Sequence, residues 1–228
     1  MSIALSWSRW NDFMDCPRKF HLKYIAKSFP KEEQNFHLLK GANLHKQLEK
    51  YVDEKNAGTL SPTECFSPEV VDTIPLVDRL MSMYSVTHSE TQLGMTADWK
   101  QTDWFASDVA WRAIMDFICV NPTEALIVDW KSGKKYDYTA DKGQLHLSGL
   151  MGMEALKLDR ITVSYVFIEH KHSSPIELTR EKDLPALKAH FDSAYDQVNS
   201  EKEFKPKVNE YCKYCPATKA QCPFSKKF

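Results

Sequence analysis

The stretch AIMDFICVNPTEALIVDWK (residues 113–131) holds two apolar runs rich in β-branched and aromatic residues, separated by a short polar segment. Such runs predict β-strands, and the asparagine and proline of the segment Asn121–Glu124 predict the turn that joins them. A symmetric loop over these residues pairs Val120 with Ala125. The stretch therefore predicts an antiparallel hairpin whose register can be counted from the turn.

That register brings two carboxylates together. Counting back from the turn places Asp116 opposite Asp129, where side chains lie about 4.5–5.5 Å apart and like charges are destabilising. Lys131 shares a strand face with Asp129 because side chains two residues apart point the same way. Hard carboxylate oxygens are ligands for Mg²⁺ and Mn²⁺, so the sequence predicts a divalent cation near these residues, as phosphodiester hydrolysis requires.

Composition indicates a globular protein. The chain has 228 residues, of which 43% are hydrophobic and 27% are charged, enough for one compact domain with a sizeable core. Its apolar runs are much shorter than the roughly 20 residues of a membrane-spanning helix, and its N-terminus lacks a signal-peptide pattern. We therefore expect a cytoplasmic protein without a membrane partner.

The order of elements predicts a mixed α/β fold. Helices are expected over residues 7–15, from Pro17 to about Lys27, over 36–55 and over 68–85; strands over 90–99, 108–120 and 124–130; then a helix over 141–157, a strand over 160–170 and a helix over 184–201. We treat residues 1–228 as a single domain with a helical N-terminal part (1–88), a core (89–200) and a cysteine-rich tail (201–228).

Basic residues concentrate at the two ends of the chain. Residues 9–31 carry six basic and two acidic side chains, and residues 202–228 carry seven lysines and two glutamates. Solvated helix faces would explain this pattern, but ends that meet would form one positive surface suited to a phosphate backbone. On that surface we expect four residues to contact nucleic acid, namely Arg18, Lys19, Lys213 and Tyr214.

Four of the six cysteines suggest a metal site. Cys212, Cys215 and Cys222 have compact ligand spacing, and Cys16 is the candidate fourth ligand because it too stands before a proline, as Cys215 and Cys222 do. Cys119 alternates with core residues, and Cys65 is undecided. Spacing alone leaves zinc and an iron–sulfur cluster as alternatives. Either would join the first helices to the tail.

Three further polar residues are weak signals when taken singly. His45 lies on an apolar helical stripe, where a histidine is usually a hydrogen-bonded core residue. Glu90 begins a strand, and Gln144 lies near the start of a helix, so each has an ordinary structural explanation.

As a set, the motifs resemble those of the RecB-like branch of the PD-(D/E)XK nuclease superfamily. In particular, they resemble the iron–sulfur nucleases related to the CRISPR-associated RecB-like exonucleases and the AddB nuclease domain. The likeness spans nearly the whole chain in the family's order. The matching segments are SWSRWNDFMDCPRKF, GANLHK, SETQL, AIMDFI, IVDWKSG, GQLHLSG and CKYCPATKAQCP.

This resemblance implies a restriction-endonuclease-like αβββαβ core with N-terminal helices and a C-terminal iron–sulfur tail. It implies His45, Asp116 and Asp129 as Mg²⁺ or Mn²⁺ ligands, Lys131 as the residue that orients water, and Glu90 and Gln144 as supporting catalytic residues. It also favours a four-iron, four-sulfur cluster over zinc on the four cysteines Cys16, Cys212, Cys215 and Cys222.

The implied activity is hydrolysis of DNA, single-stranded or from free ends, in recombination, repair or CRISPR adaptation within a bacterial, archaeal or phage-infected cell. The alternatives are a non-catalytic iron–sulfur or zinc module that binds nucleic acid, and an accessory subunit of a DNA-processing complex. Two positions depart from the family pattern: Ser148 replaces a tyrosine and Ala113 replaces a glycine.

Overall fold

The computed structural model describes residues 3–30, 36–133 and 142–226, without the side chains of residues 36–38. The helices are α1 (Trp7–Asp15), α2 (Pro17–Phe20, continued by a π-helical turn at His21–Ile25), α3 (Phe36–Ala57), α4 (Pro68–Met83), α5 (Gly143–Leu156) and α6 (Leu184–Ser200). The strands are β1 (Val86–Thr96), β2 (Gln101–Thr102), β3 (Val109–Val120), β4 (Ala125–Lys131), β5 (Arg160–Phe167) and β6 (His172–Thr179). Single 3-10 turns lie at Thr63–Cys65, Ile168–His170 and Glu210–Tyr214.

The chain divides into two compact units. One, which we call the terminal unit, combines Met1–Glu33 with Asp192–Phe228, and the other, the sheet unit, comprises Gln34–Phe191. Within the described residues, no helix combines the length and apolar character needed to cross a bilayer.

The sheet unit confirms the predicted αβββαβ core. Its mixed six-stranded sheet has the order β2-β1-β3-β4-β5-β6, and α5 connects the parallel pair β4 and β5. Strands β2 and β6 were not predicted from the sequence. Strand β2 has only two residues, and β6, with Ser173, Ser174 and Pro175, has the composition of an edge strand or loop. The predicted start of α5 at Asp141 lies outside the described residues.

The hairpin register was predicted correctly. Val120 pairs with Ala125, the ladder continues to Phe117 opposite Val128, and the Asn121 amide donates to the Glu124 carbonyl at 2.8 Å. Helices α3 and α4 cover one face of the sheet, where Leu48 shares a core with Val128 and residues of α4. The ends of β3 and β4 are thereby fixed against α3.

Helix α5 covers the opposite face, and its glycines permit a close approach to the sheet. A Cβ atom on Gly152 would lie 2.8 Å from the Cδ1 atoms of both Ile127 and Ile161, and one on Gly149 would clash with Leu178 Cδ1. Both glycines therefore permit the close packing of α5 on the sheet. Their packing positions the N-terminus of α5, which carries Gln144.

The terminal unit has an aromatic core. Ser6 caps α1 by accepting a hydrogen bond from the Arg9 amide, as its position before the helix predicts. Phe20 packs edge-on against Phe13 and stacks on Phe204, with ring centroids 5.5 Å and 6.4 Å apart. Aromatic packing thus joins residues from both ends of the chain.

A charged cluster around Glu154 gives the sheet unit a pH-dependent stability. Burial by itself would raise the pKa of Glu154, but Lys188 and Arg180, each with a nitrogen 3.0 Å from its Oε1, outweigh burial and lower the pKa. The folded state therefore favours the charged form, and this stabilisation is complete above the ordinary pKa of 4.5 and is lost as the pH falls towards the lower folded value.

Replacement of Glu154 by glutamine is expected to lower the free energy of unfolding by about 1–3 kcal/mol at pH 7, because two partly buried cationic groups lose their buried partner. The difference from the parent should shrink below pH 4.5. Urea denaturation across this pH range measures it, with exposed Glu181→Gln as the matched control. A difference that stays constant down to pH 3 would contradict the expectation.

Candidate active site

Three potential metal ligands converge at the hairpin. One ligand atom each from His45 on α3, Glu90 on β1 and Asp116 on β3 lie within 4.8 Å of one another. The three side chains are partly buried and line an open cleft of about 440 Å³. Two carboxylates and an imidazole facing one space are a donor set that fits a divalent cation.

Asp116 is oriented by two contacts. Its Oδ2 accepts a hydrogen bond of 2.8 Å from the Trp130 amide of the neighbouring strand, and the same oxygen lies 3.4 Å from His45 Nδ1. The amide contact depends on the hairpin register, since it spans β3 and β4. The turn therefore fixes the direction of this carboxylate.

Glu90 reaches the site through an unusual backbone conformation. It stands opposite Asp116 in the β1–β3 ladder, between the pairs Ser89–Phe117 and Thr91–Met115, and its φ of +43° lies in the left-handed region. This region is unfavourable for a residue with a side chain and is found where the surrounding structure imposes it, often at functional sites. Such a backbone deviation within a strand is not visible in the sequence.

The electrostatics of this group favour a cation. Burial raises the pKa of Glu90, and the nearby charge of Asp116 raises it further. Burial alone would lower the pKa of His45, but the hydrogen bond and charge of Asp116 outweigh burial and raise it. Glu90 and Asp116 thus repel each other in a partly buried place, and a positive ion would relieve that repulsion.

Asp129, Lys131 and Gln144 form a second polar group beside the first. Lys131 Nζ lies 2.7 Å from Asp129 Oδ1 and donates to Gln144 Oε1 at 3.1 Å, while Gln144 Nε2 donates to Asp129 Oδ2. Burial raises the pKa of Asp129; Lys131 opposes this effect, and the charge of Asp116 adds to it. Ser148, where the family pattern has a tyrosine, is buried within α5.

The structure therefore brings together the predicted site residues in two adjoining groups. Glu90, predicted as a supporting residue, lies among the potential ligands with His45 and Asp116, and Asp129, predicted as a ligand, is held by Lys131 and Gln144.

The four predicted cysteine ligands line one cavity of the terminal unit. This cavity of about 270 Å³ is bounded by Cys16, Cys212, Cys215 and Cys222. Two of the sulfur atoms accept backbone N–H groups at 3.4 Å, from Lys207 to Cys16 and from Asn209 to Cys212. Sulfur donors around a space of this size, with N–H groups aimed at them, fit an iron–sulfur cluster.

The predicted nucleic-acid contacts also lie in the terminal unit. Arg18, Lys19 and Tyr214 line the cysteine cavity, and Lys213 Nζ lies 4.9 Å from the centroid of the Tyr214 ring. Lys19 is paired with Asp12 at 2.6 Å. The remaining two cysteines, Cys65 and Cys119, are respectively exposed and buried.

Comparisons with known proteins identify the family. No curated protein matches the chain. The crystal structure of SSO0001 aligns with 87% of this chain and 91% of its own at 16% identity, with a TM-score of 0.34. The sequence profile of the PD-(D/E)XK nuclease superfamily matches residues 4–223. This match spans nearly the whole sequence, and the chain belongs to the PD-(D/E)XK nuclease superfamily.

Proposed function

We propose that the protein is a Mg²⁺- or Mn²⁺-dependent deoxyribonuclease of the RecB-like iron–sulfur branch, acting on single-stranded DNA or on DNA ends. The observation that carries this proposal is the convergence of His45, Glu90 and Asp116 within 4.8 Å. Work in recombination, repair or CRISPR adaptation would suit such an activity. The cytoplasm is the expected compartment.

In this proposal, His45, Glu90 and Asp116 hold the cation, and Asp129 serves as a further ligand. When bound, a divalent cation polarises the phosphodiester and lowers the pKa of a water molecule, which supplies the nucleophile. The amide of Trp130 keeps Asp116 directed at the site through its 2.8 Å hydrogen bond.

Lys131 supplies the positively charged side chain that acts in catalysis beside the metal ion. Its ammonium group can donate to a phosphate oxygen and so stabilise the charge that develops during attack, as well as orient the attacking water. Gln144 positions both residues, because its amide nitrogen donates to Asp129 and its amide oxygen accepts from Lys131. The ion pair with Asp129 holds Lys131 in this polar group rather than free in solvent.

The terminal unit would carry a four-iron, four-sulfur cluster in a structural role. A single zinc ion lies about 2.3 Å from each sulfur ligand and leaves little space between them. A cavity of about 270 Å³ that all four cysteines help to line supports the larger cluster instead. Arg18, Lys19, Lys213 and Tyr214 around this cavity would then contact DNA through phosphate attraction and base stacking.

Removal of divalent cations is expected to reduce cleavage at least 100-fold, because the water nucleophile loses its activation. The measurement is product formation from labelled single-stranded and duplex DNA in EDTA, with Mg²⁺ or Mn²⁺ added back. Glu90→Gln should require a higher Mn²⁺ concentration for half-maximal rate, whereas Glu177→Gln, exposed on β6, should match the parent. Cleavage that persists in EDTA would refute the proposal.

A further inference from the structure

An exposed group of aromatic residues lies in the loop between β2 and β3. The Arg112 guanidinium lies 5.5 Å from the ring centroid of Trp104 and 5.8 Å from that of Phe105. Phe105 is 87% exposed, the most open of the large hydrophobic side chains in the described residues. We call Trp104, Phe105 and Arg112 the aromatic arm.

Gly94 allows the loop to reach Arg112. It pairs with Thr102 on one side and with Arg112 on the other, so it stands between the loop and β3. A Cβ atom at this position would lie 2.9 Å from the Thr102 carbonyl oxygen and 3.2 Å from that of Asp103. The loop backbone therefore occupies the space that a side chain at Gly94 would fill. This space lies on the face of the sheet that carries Arg112.

The aromatic arm shares one face of β3 with the cleft that His45, Glu90 and Asp116 line, which we call the metal cleft. Arg112 and Ile114 stand two residues apart in a regularly paired part of the β1–β3 ladder, so they point the same way. Ile114 lines the cleft with Asp116 and is 44% exposed, although its neighbours in sequence are covered. Four strand residues span about 13 Å, which a strand of a few nucleotides can bridge.

The chemistry of the arm suits bases more than phosphates. Asp103 and Asp108 flank the rings, so this loop offers little attraction to a polyanion. Aromatic rings bind bases by stacking, which tolerates any sequence but needs bases that are not already stacked and paired in a duplex. The guanidinium beneath the rings keeps them in place and adds a cation–π contact.

We propose that the aromatic arm is a base-stacking platform that holds single-stranded DNA while one of its phosphates lies at the metal cleft. This inference rests on the proposed nuclease function and adds the residues that select unpaired DNA. The arm contacts base faces a few nucleotides away from the scissile bond. It does not contribute to metal binding.

The test is binding of a labelled oligothymidylate of about 15 nucleotides to the full chain in EDTA, followed by fluorescence anisotropy. Phe105→Leu removes the ring but keeps an apolar side chain, and Phe105→Tyr keeps the ring. The leucine variant should bind about 5- to 100-fold more weakly, whereas the tyrosine variant should stay within about twofold of the parent. Since Phe105 is almost fully exposed, neither change disturbs the core.

The dependence of binding on salt concentration, and the comparison of single-stranded with duplex DNA, distinguish base stacking from phosphate attraction. The loss in Phe105→Leu should keep nearly the same ratio as the salt concentration rises, because stacking releases no counterions. The inference is overturned if the two variants bind alike, if the parent does not bind the oligonucleotide, or if the leucine change weakens duplex binding equally. Cleavage of DNA by the parent with Mg²⁺ is measured separately. If the parent cleaves DNA but the binding results do not depend on the Phe105 ring, this inference is wrong and the proposed nuclease function still stands.

Discussion

Replacement of Lys131 by methionine is expected to lower kcat for DNA cleavage by about 10²- to 10³-fold, the usual cost of losing one donor to a developing oxyanion. Methionine keeps most of the side-chain length beside the Tyr165 ring, which lies 4.8 Å from Lys131 Nζ. The change therefore removes the charge with little loss of packing. Single-turnover rates on labelled single-stranded DNA would measure the effect.

The Mn²⁺ affinity of the variant distinguishes a catalytic role for Lys131 from a structural one. Three of the four proposed ligands, His45, Glu90 and Asp116, do not hydrogen-bond to Lys131 in the contacts described above, and the fourth, Asp129, keeps its hydrogen bond from Gln144. Lys131→Met should therefore still bind Mn²⁺, as calorimetry would show. Lys171, an exposed lysine that pairs with Asp72, provides the matched control Lys171→Met. A Lys131→Met protein that cleaves at the parental rate would exclude the lysine from the chemistry.

Replacement of Cys212 by serine is expected to remove most of the iron of the proposed cluster, together with the stability that such a cluster would give to the terminal unit. A structural metal centre contributes its binding free energy to folding, so loss of one ligand destabilises the segments that it joins. The parent, purified without oxygen, should hold about four irons per chain and absorb visible light. The variant should be nearly colourless, and protease should cut its terminal unit first.

Cys65→Ser is the control for this experiment, because Cys65 is exposed and belongs to the sheet unit. It should keep the iron content of the parent. A colourless parent that contains zinc would contradict the iron–sulfur assignment, yet it would leave the metal cleft of the sheet unit untouched. Iron retained at parental levels in Cys212→Ser would remove this cysteine from the ligand set.

The hairpin could be predicted because its determinants are local. The turn residues Asn121–Glu124 and the alternation of the flanking strands fix the register, and the register places Asp116 near β4. The proximity of Lys131 to Asp129 follows from a spacing of two residues along a strand. These features need no knowledge of the rest of the fold.

Other parts of the site depend on long-range packing that the sequence does not reveal. The left-handed φ of Glu90 is imposed where β1 meets β3, so its place beside His45 could not be counted from a turn. The aromatic arm was missed because the exposed Phe105 has no periodic neighbours, and its contact with Arg112 depends on the close approach at Gly94.

The discontinuous terminal unit also imposes an order on biosynthesis. Residues 34–191 can leave the ribosome and fold while Asp192–Phe228 are still being translated, a delay of a few seconds at ordinary elongation rates. The N-terminal helices must wait during this time with Phe20 lacking its stacked partner Phe204. A nascent chain would thus complete its sheet before its first helices find their final partners, and a chaperone would be most useful in that interval.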